Sequence, residues 1–502
     1  MKRIIRKYKS EWMKTGSANL IVLLLIIIFS TSCNENVKDA GNRNKIPKIF
    51  PEYYNHTLPA NIAPLNFIIK EPGSKFNIEI TGQSDGSIII QQSSPKIKIP
   101  IKKWRRLLAE NSDKNISIKI WAKEKGEWIK YQDISHHVSK DTIDPYLVYR
   151  LVHATYLKWH KMGIYQRNLT NFNETPIIEN NSTDNGCMNC HTFSGNNPNT
   201  MAIHFRIIHP GTLIWKNGEL TFTNTKSENN MSAGIYPAWH PNGKHIAFST
   251  GKISPHLTTR INKPVDVADK ASGLFVYNTE TTTVLTTPEL ATERRESMPE
   301  WSVDGKFLYF ISAPEAEKGD DESLLHQRYS LMRIPFDTES ETWGKAEMVL
   351  NAESIGKSIS MPVASPNGKY MVCSMSDYGY FTIFHQNSDL HIINLETKEY
   401  KKMELNSEFA ESHSQWSTNS KWLVFSSKRT DGVLTRPYIS YIDDNGNSSN
   451  PFLLPQEDPE INDLLQANYN RPELVSGKVN LKPIEIRNIV NSVPEKIGDK
   501  LE

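Results

Sequence analysis

One pattern recurs along the second half of this 502-residue chain and limits what it can fold into. "YPAWHPNGKHIAFST" begins at Tyr236, "MPEWSVDGKFLYFIS" at Met298, "MPVASPNGKYMVCSM" at Met361 and "HSQWSTNSKWLVFSS" at His413. Each reads as a short strand, a tight polar turn and a second apolar strand, and a hairpin-like pair such as "GLFVYNTETTTVLTT" follows. Measured between Trp239, Trp301, Ala364 and Trp416, the copies are 52 to 63 residues apart. Four short strands at such a period cannot bury their faces singly; they bury them by packing on one another as blades. "CHTFSGNNPNTMAIHFR" is a fifth copy, with Phe193 standing 46 residues before Trp239. The expected fold class is therefore all-β: a β-propeller of five readable four-stranded blades, with material for a sixth in residues 164 to 186 and the C-terminal tail.

These units resemble the repeats of TolB-like (WD40-like) β-propellers, whose core reads P-x-W-S-P-D-G-x-x-I-A-F; Ala364 and Asn419-Ser420 depart from it. The resemblance covers about 270 residues and implies a fold, whereas activity on such a scaffold resides in its sites. The repeat tryptophans read as core, and Asp304-Gly305 and Asn367-Gly368 as hairpin turns. Arginines in "HQRYSLMRIPFD" and "TRPYISYIDDNG" are expected near the propeller mouth. Residues 187–457 form the propeller in this reading, and 458–502 a tail.

Ahead of the repeats, residues 51–138 hold short alternating runs such as "KFNIEIT" and "NISIKIWAKE", the pattern of a small immunoglobulin-like β-sandwich. His136 and His137 in it read as solvated. Residues 139–186 are expected to be a helical connector. Asp144 is placed to cap, Pro145 suits the first turn, Leu147, Leu151, Val152 and Tyr156 fall at helical spacings, and Gly163 would end it.

The N-terminus sets the compartment. A basic stretch precedes the apolar run Leu20 to Phe29, which is too short to span a bilayer and fits the apolar region of an export signal. Ser30, Thr31 and Ser32 lead into Cys33, and this resembles the lipobox of bacterial lipoproteins, which implies lipidation at Cys33, removal of what precedes it and a cell-envelope location. Asn34 follows, where an aspartate would point to inner-membrane retention, so the outer membrane is the implied default. Residues 34–50 read as a tether. The mature chain carries 52 basic and 55 acidic residues, without the concentrated basic face that nucleic acid requires.

In an exported chain the four cysteines take on meaning. Cys33 is reserved for lipid, Cys373 has no evident partner, and Cys187-Met188-Asn189-Cys190-His191 matches the attachment signature of c-type haem. Two thiols at this spacing add to the two vinyl groups of one porphyrin, and the adjacent imidazole becomes the proximal iron ligand. A Cys187–Cys190 disulfide, a thioredoxin-like redox pair or a zinc site are the competing readings; a disulfide leaves His191 unexplained, the redox pair wants a βαβ context, and zinc wants a further ligand pair.

The leading expectation is a lipid-anchored monohaem cytochrome c, carrying one covalent haem c and passing electrons to periplasmic or outer-membrane partners. A non-redox binding or scaffold lipoprotein and a haem-dependent peroxidase-like enzyme are the alternatives. Within the repeat alignment, Cys190 matches Tyr236, Met298, Met361 and His413, while His204 is set against Phe248, Phe310, Cys373 and Phe425. The distal ligand is expected first from His204 or Met201 and second from Met298, Met361 or His413, with an open site otherwise.

Overall fold

Each repeat folds as an antiparallel pair: Ile235–Trp239 with His245–Arg260, Arg295–Trp301 with Phe307–Ala313, Ser358–Ala364 with Tyr370–Ser376, and Glu411–Trp416 with Trp422–Ser427. Cys187–Phe193 pairs in the same way with Thr200–Arg206. These pairings come from a computed structural model that describes residues 37, 40–84, 86–153, 162–228, 230–260, 263–315, 321–495 and 497–501. The export-signal segment and Cys33 lie outside the described residues.

Adding the outer strands gives six sheets of four or five strands. Their inner strands touch in succession, and the circle closes where Ala467–Val475 meets Cys187–Phe193. This is a β-propeller. Alternation along each strand sends one set of side chains to the preceding sheet and the other to the following sheet, so both faces are apolar and a cluster fills each gap. The repeat tryptophans sit in these gaps. Trp301 Nε1 donates to the Ala238 carbonyl at 3.2 Å and Trp416 Nε1 to the Val363 carbonyl at 3.3 Å, each tying its sheet to the one before. The turns between paired strands need a left-handed residue, and Gly305 (φ 72°) and Gly368 (φ 70°) supply it. At Gly305 a Cβ would also stand 2.4 Å from the His240 ring.

The sixth sheet corrects two expectations. Residues 139–186 are not a helical connector: Tyr146–His153, Met162–Asn168 and Glu174–Glu179 are strands. Leu147, Val148 and Tyr149 are consecutive and all fully buried, which a strand between two apolar gaps achieves and a helix lying on one face does not. Nor are residues 458–502 merely a tail, because Ala467–Val475 is the inner strand of this sheet, paired with Tyr146–His153. Asp144 caps no helix. It accepts from Thr418 N at 2.8 Å and Thr418 Oγ1 at 2.7 Å, pinning the N-terminal module to a propeller turn.

That module contains a seven-stranded and a three-stranded sheet. It also holds a helix, Ile101–Glu110, that was not expected; Trp104, Leu107 and Leu108 are its buried stripe. Its core is continuous with Trp422, Val424, Ile439 and Phe452 of the propeller. His136 is buried rather than solvated, stacked on His56 with ring centroids 5.6 Å apart. No helix among the described residues is long and apolar enough to cross a membrane.

Candidate functional site

The six inner strands share a local kink. Cys190, Tyr236, Met298, Met361, His413 and Arg471 all have positive φ, between 45° and 52°, and none is glycine. Each lies where the register between the inner strand and its neighbour slips. A bulge of this kind turns the strand and aims the side chains after it. The following residue is proline in four strands, Pro237, Pro299, Pro362 and Pro472. Proline suits a position with a fixed φ and no ladder hydrogen bond to donate. In the cysteine strand this residue is His191, so the haem-type motif is built on the bulge itself.

Cys187 and Cys190 are free thiols, 4% and 7% exposed, and His191 is fully buried. Neither ring nitrogen of His191 makes a hydrogen bond of good geometry, although the Val148 carbonyl lies near enough to act on the ring as an acceptor. Burial, with Arg471 and Arg150 nearby, holds its pKa well below the ordinary histidine range, so the ring is neutral. Burial also pushes the Cys187 thiol up, against the pull of Arg150 and Arg206. The strand is fixed from the neighbouring sheet: Arg150 Nη1 donates to the Met188 carbonyl at 3.1 Å and to Asn189 Oδ1, and Nη2 donates to Asn470 Oδ1 at 3.0 Å. Asn470 in turn meets His413 Nε2 at 3.3 Å. Burial lowers the pKa of His413 to about 3.

The pairing revises the place of His204. Asn189 pairs with His204 as Ile235 pairs with Ser249, Ser360 with Ser374 and Ser412 with Ser426. The counterpart of Phe248, Phe310, Cys373 and Phe425 is therefore Ile203, one residue earlier. At the His204 position Ser249 reaches the next sheet, accepting from Met298 N at 2.9 Å, and Ser426 does likewise, donating to the Tyr469 carbonyl at 3.2 Å. His191 pairs with Ile203, which packs toward the preceding sheet, among Val148, Met162 and Ile164. His191 and His204 thus lie on opposite faces of one strand pair. His204 is buried with Nδ1 unpartnered, and burial lowers its pKa to about 3. Met201 pairs with Phe193 and shares the His191 face.

Met298, Met361 and His413 line a channel cavity of about 310 Å³, together with residues of all six inner strands. Met298 Sδ receives the Met361 N–H at 3.3 Å. The arginines expected at the mouth are elsewhere: Arg333 pairs with Glu347 at 2.6 Å, and Arg436 is spent on the Asn462, Leu465 and Ala467 carbonyls. Arg471 lines the cavity instead, and sequence reasoning missed it along with Glu300 and Glu473. The signal was present in "RPEL" at 471–474, an echo of "MPEW" at 298–301.

Two free thiols beside a buried neutral imidazole with no well-formed hydrogen bond are the donor set that covalent haem attachment uses, and in that respect these residues fit the group. All three are packed under neighbouring side chains, so a porphyrin bonded to them requires those neighbours to part. Among the described residues no three His, Cys, Asp or Glu side chains gather into a metal-binding group.

No protein-family model and no curated protein matches the chain. Among solved structures it is similar to a chain of a nidogen/laminin complex, with a TM-score of 0.37 and 9% identity over 66% of this chain and 99% of that one. It is similar to prolyl oligopeptidase B from Galerina marginata bound to a macrocyclization substrate (TM-score 0.34, 9% identity, 79% of this chain), spanning 55% of that enzyme's length. The Dos1 propeller is a third, with a TM-score of 0.27 and 12% identity over 46% of this chain and 64% of that one.

Proposed function

We propose that this chain is a lipid-anchored c-type cytochrome of the bacterial cell envelope, built on a TolB-like propeller of six blades. Cys187 and Cys190 would hold one haem through thioether bonds, and His191 would be the proximal ligand. The observation that carries the reading is His191: a fully buried imidazole with no well-formed hydrogen bond, at a position four sister strands give to proline, directly after two free thiols at the spacing of the motif. A buried polar group without a partner is costly, and such exceptions call for a ligand or a function. When bound, the haem supplies one-electron exchange. The chain's own residues keep His191 neutral by burial and hold its strand through Arg150. They also set the positive charges of Arg150, Arg206 and Arg471 around the motif, where they favour an electron-rich centre. For the distal ligand Met201 is favoured over His204 by the face it shares with His191; the channel residues His413, Met298 and Met361 come next. The N-terminal sandwich-like module and the tether from Cys33 would hold the propeller at the outer membrane, where envelope redox proteins are the partners.

The test is expression with its export signal in a host that has haem-attachment machinery. A pyridine haemochrome spectrum of c type and a covalent mass increase of one haem are expected. Colourless protein with no added mass beyond lipid would overturn the proposal.

A further inference from the structure

One buried amine takes no part in the proposed haem chemistry. Lys428 directly follows the strand Trp422–Ser427, at the end remote from the tight turn that joins this strand to its inner partner, and it is 6% exposed. A lysine is rarely so buried unless a carboxylate pairs with it. Here the neighbouring carboxylates are taken. Glu411 is held by Arg429 at 2.7 Å, and Asp431 Oδ1 accepts the Val433 and Leu434 N–H groups at 2.8 and 2.7 Å. Lys428 Nζ makes no ion pair and no hydrogen bond among the described residues. What it meets is the face of Phe384, with Nζ 5.7 Å from the ring centroid. Phe384 stands against Phe381, their centroids 5.6 Å apart, so the wall beside the amine is aromatic.

The main chain holds the residue in place. Lys428 N donates to the Ala410 carbonyl at 3.1 Å, and the Lys428 carbonyl accepts from Gly432 N at 2.7 Å, closing a turn in which Gly432 is left-handed (φ 75°). Asp431 and Val433 in that turn are exposed, and Nζ is not among the polar atoms sealed from solvent. The amine therefore lies just under the surface, anchored by its backbone and reachable by a small molecule.

Burial lowers the pKa of Lys428 to about 8, with Asp431 pulling the other way. Near pH 7 about a tenth of such a group is uncharged, against roughly 0.04% of an ordinary lysine. The uncharged form carries the lone pair that a nucleophile needs. We propose that Lys428 is a covalent capture site for a small apolar aldehyde, whose tail rests on Phe384 and Phe381. The nitrogen lone pair adds to the carbonyl carbon, the carbonyl π pair moves to oxygen, and that oxygen takes the proton released from nitrogen. Loss of one water from the carbinolamine leaves an imine at Nζ. Nothing is oxidised or reduced, and water reverses the step. The site shares no residue with the cysteine motif and would work in a protein without haem.

Reaction of the folded full-length protein with propanal at pH 7, trapped by cyanoborohydride and followed over time by peptide mass mapping, tests the site. Cyanoborohydride supplies the hydride that fixes the imine and has no counterpart in the proposal. Among the lysines, Lys428 is expected to react first, at least about tenfold faster than the exposed Lys102 and Lys103. That preference should vanish in guanidinium chloride, because it comes from the folded surroundings. Alkylation of Lys428 no faster than that of Lys102 and Lys103 in the folded protein, or an equal preference in the unfolded chain, would each overturn the proposal.

Discussion

At the scale of single residues, the chain hides ionisable groups in their neutral forms. Burial lowers His136, His204 and His413 to about 3 in the folded protein. The unfolded chain protonates them near their ordinary value, so the stability they permit is present above about pH 6.5 and is lost as pH falls below it. Each contributes up to about 1.4 kcal/mol per pH unit in that window. His413→Gln, which keeps an acceptor for Asn470, should flatten the fall in melting temperature between about pH 6 and pH 4; an unchanged slope would contradict the assignment. Glu300 and Glu473 act in the opposite sense. Their folded values, about 8 and about 7, are raised mainly by burial, so stability falls as pH rises from the usual carboxylate range through those values. Glu300→Gln should remove part of that alkaline fall, read from urea midpoints at a series of pH values. A variant as alkali-sensitive as the parent would mean that Glu300 is ionised throughout.

At the scale of elements, what was legible in the sequence was what is local. A tryptophan, replaced by Phe193 and Ala364 in two copies, with a polar turn and an apolar strand within about fifteen residues, identifies five of the inner hairpins. The closing sheet was legible only in part: its outer strands and inner strand fall largely in residues 164 to 186 and the C-terminal tail, as expected for a sixth blade, but Tyr146–His153 was read as helix because its partner, Ala467–Val475, lies at the opposite end of the propeller sequence. The same spacing of Leu147, Leu151 and Val152 suits a helix or a doubly buried strand, and only the distant partner decides between them. The slip at His204 arises in the turn: Phe193 pairs with Met201 eight residues on, where Trp239, Trp301, Ala364 and Trp416 pair with residues seven on, so the cysteine copy has one extra turn residue, and an alignment that sets His204 on Phe248 allows two. The motif itself was legible in full. What surrounds it, Arg150 above all, was not, since nothing local marks an arginine that reaches another sheet.

Two outcomes follow for these elements. A chain ending before Ala467 lacks the strand that closes the ring and should lose its single cooperative unfolding transition; a truncated protein that melts like the parent would contradict the closure. Arg150→Met leaves the Met188 carbonyl, Asn189 and Asn470 short of a donor and should cost roughly 2–4 kcal/mol in urea unfolding. A loss within error of zero would show that these bonds hold nothing.

For the molecule as a whole, the bulged residues ring the channel: Cys187 lies toward the start of its inner strand, while His191 follows the bulged Cys190 at the position that Pro299, Pro362 and Pro472 take in the cavity wall. The N-terminal module packs on the flank of the ring through Trp422 and Phe452. The central claim concerns the cysteine strand, and it is tested most directly by intact-mass measurement of the exported protein and its Cys187→Ala/Cys190→Ala variant from one haem-attaching host. The account predicts one haem of covalent mass on the parent, with a c-type haemochrome spectrum, and none on the variant. Parent and variant that are both colourless, differing in mass only by the two substitutions, would contradict it.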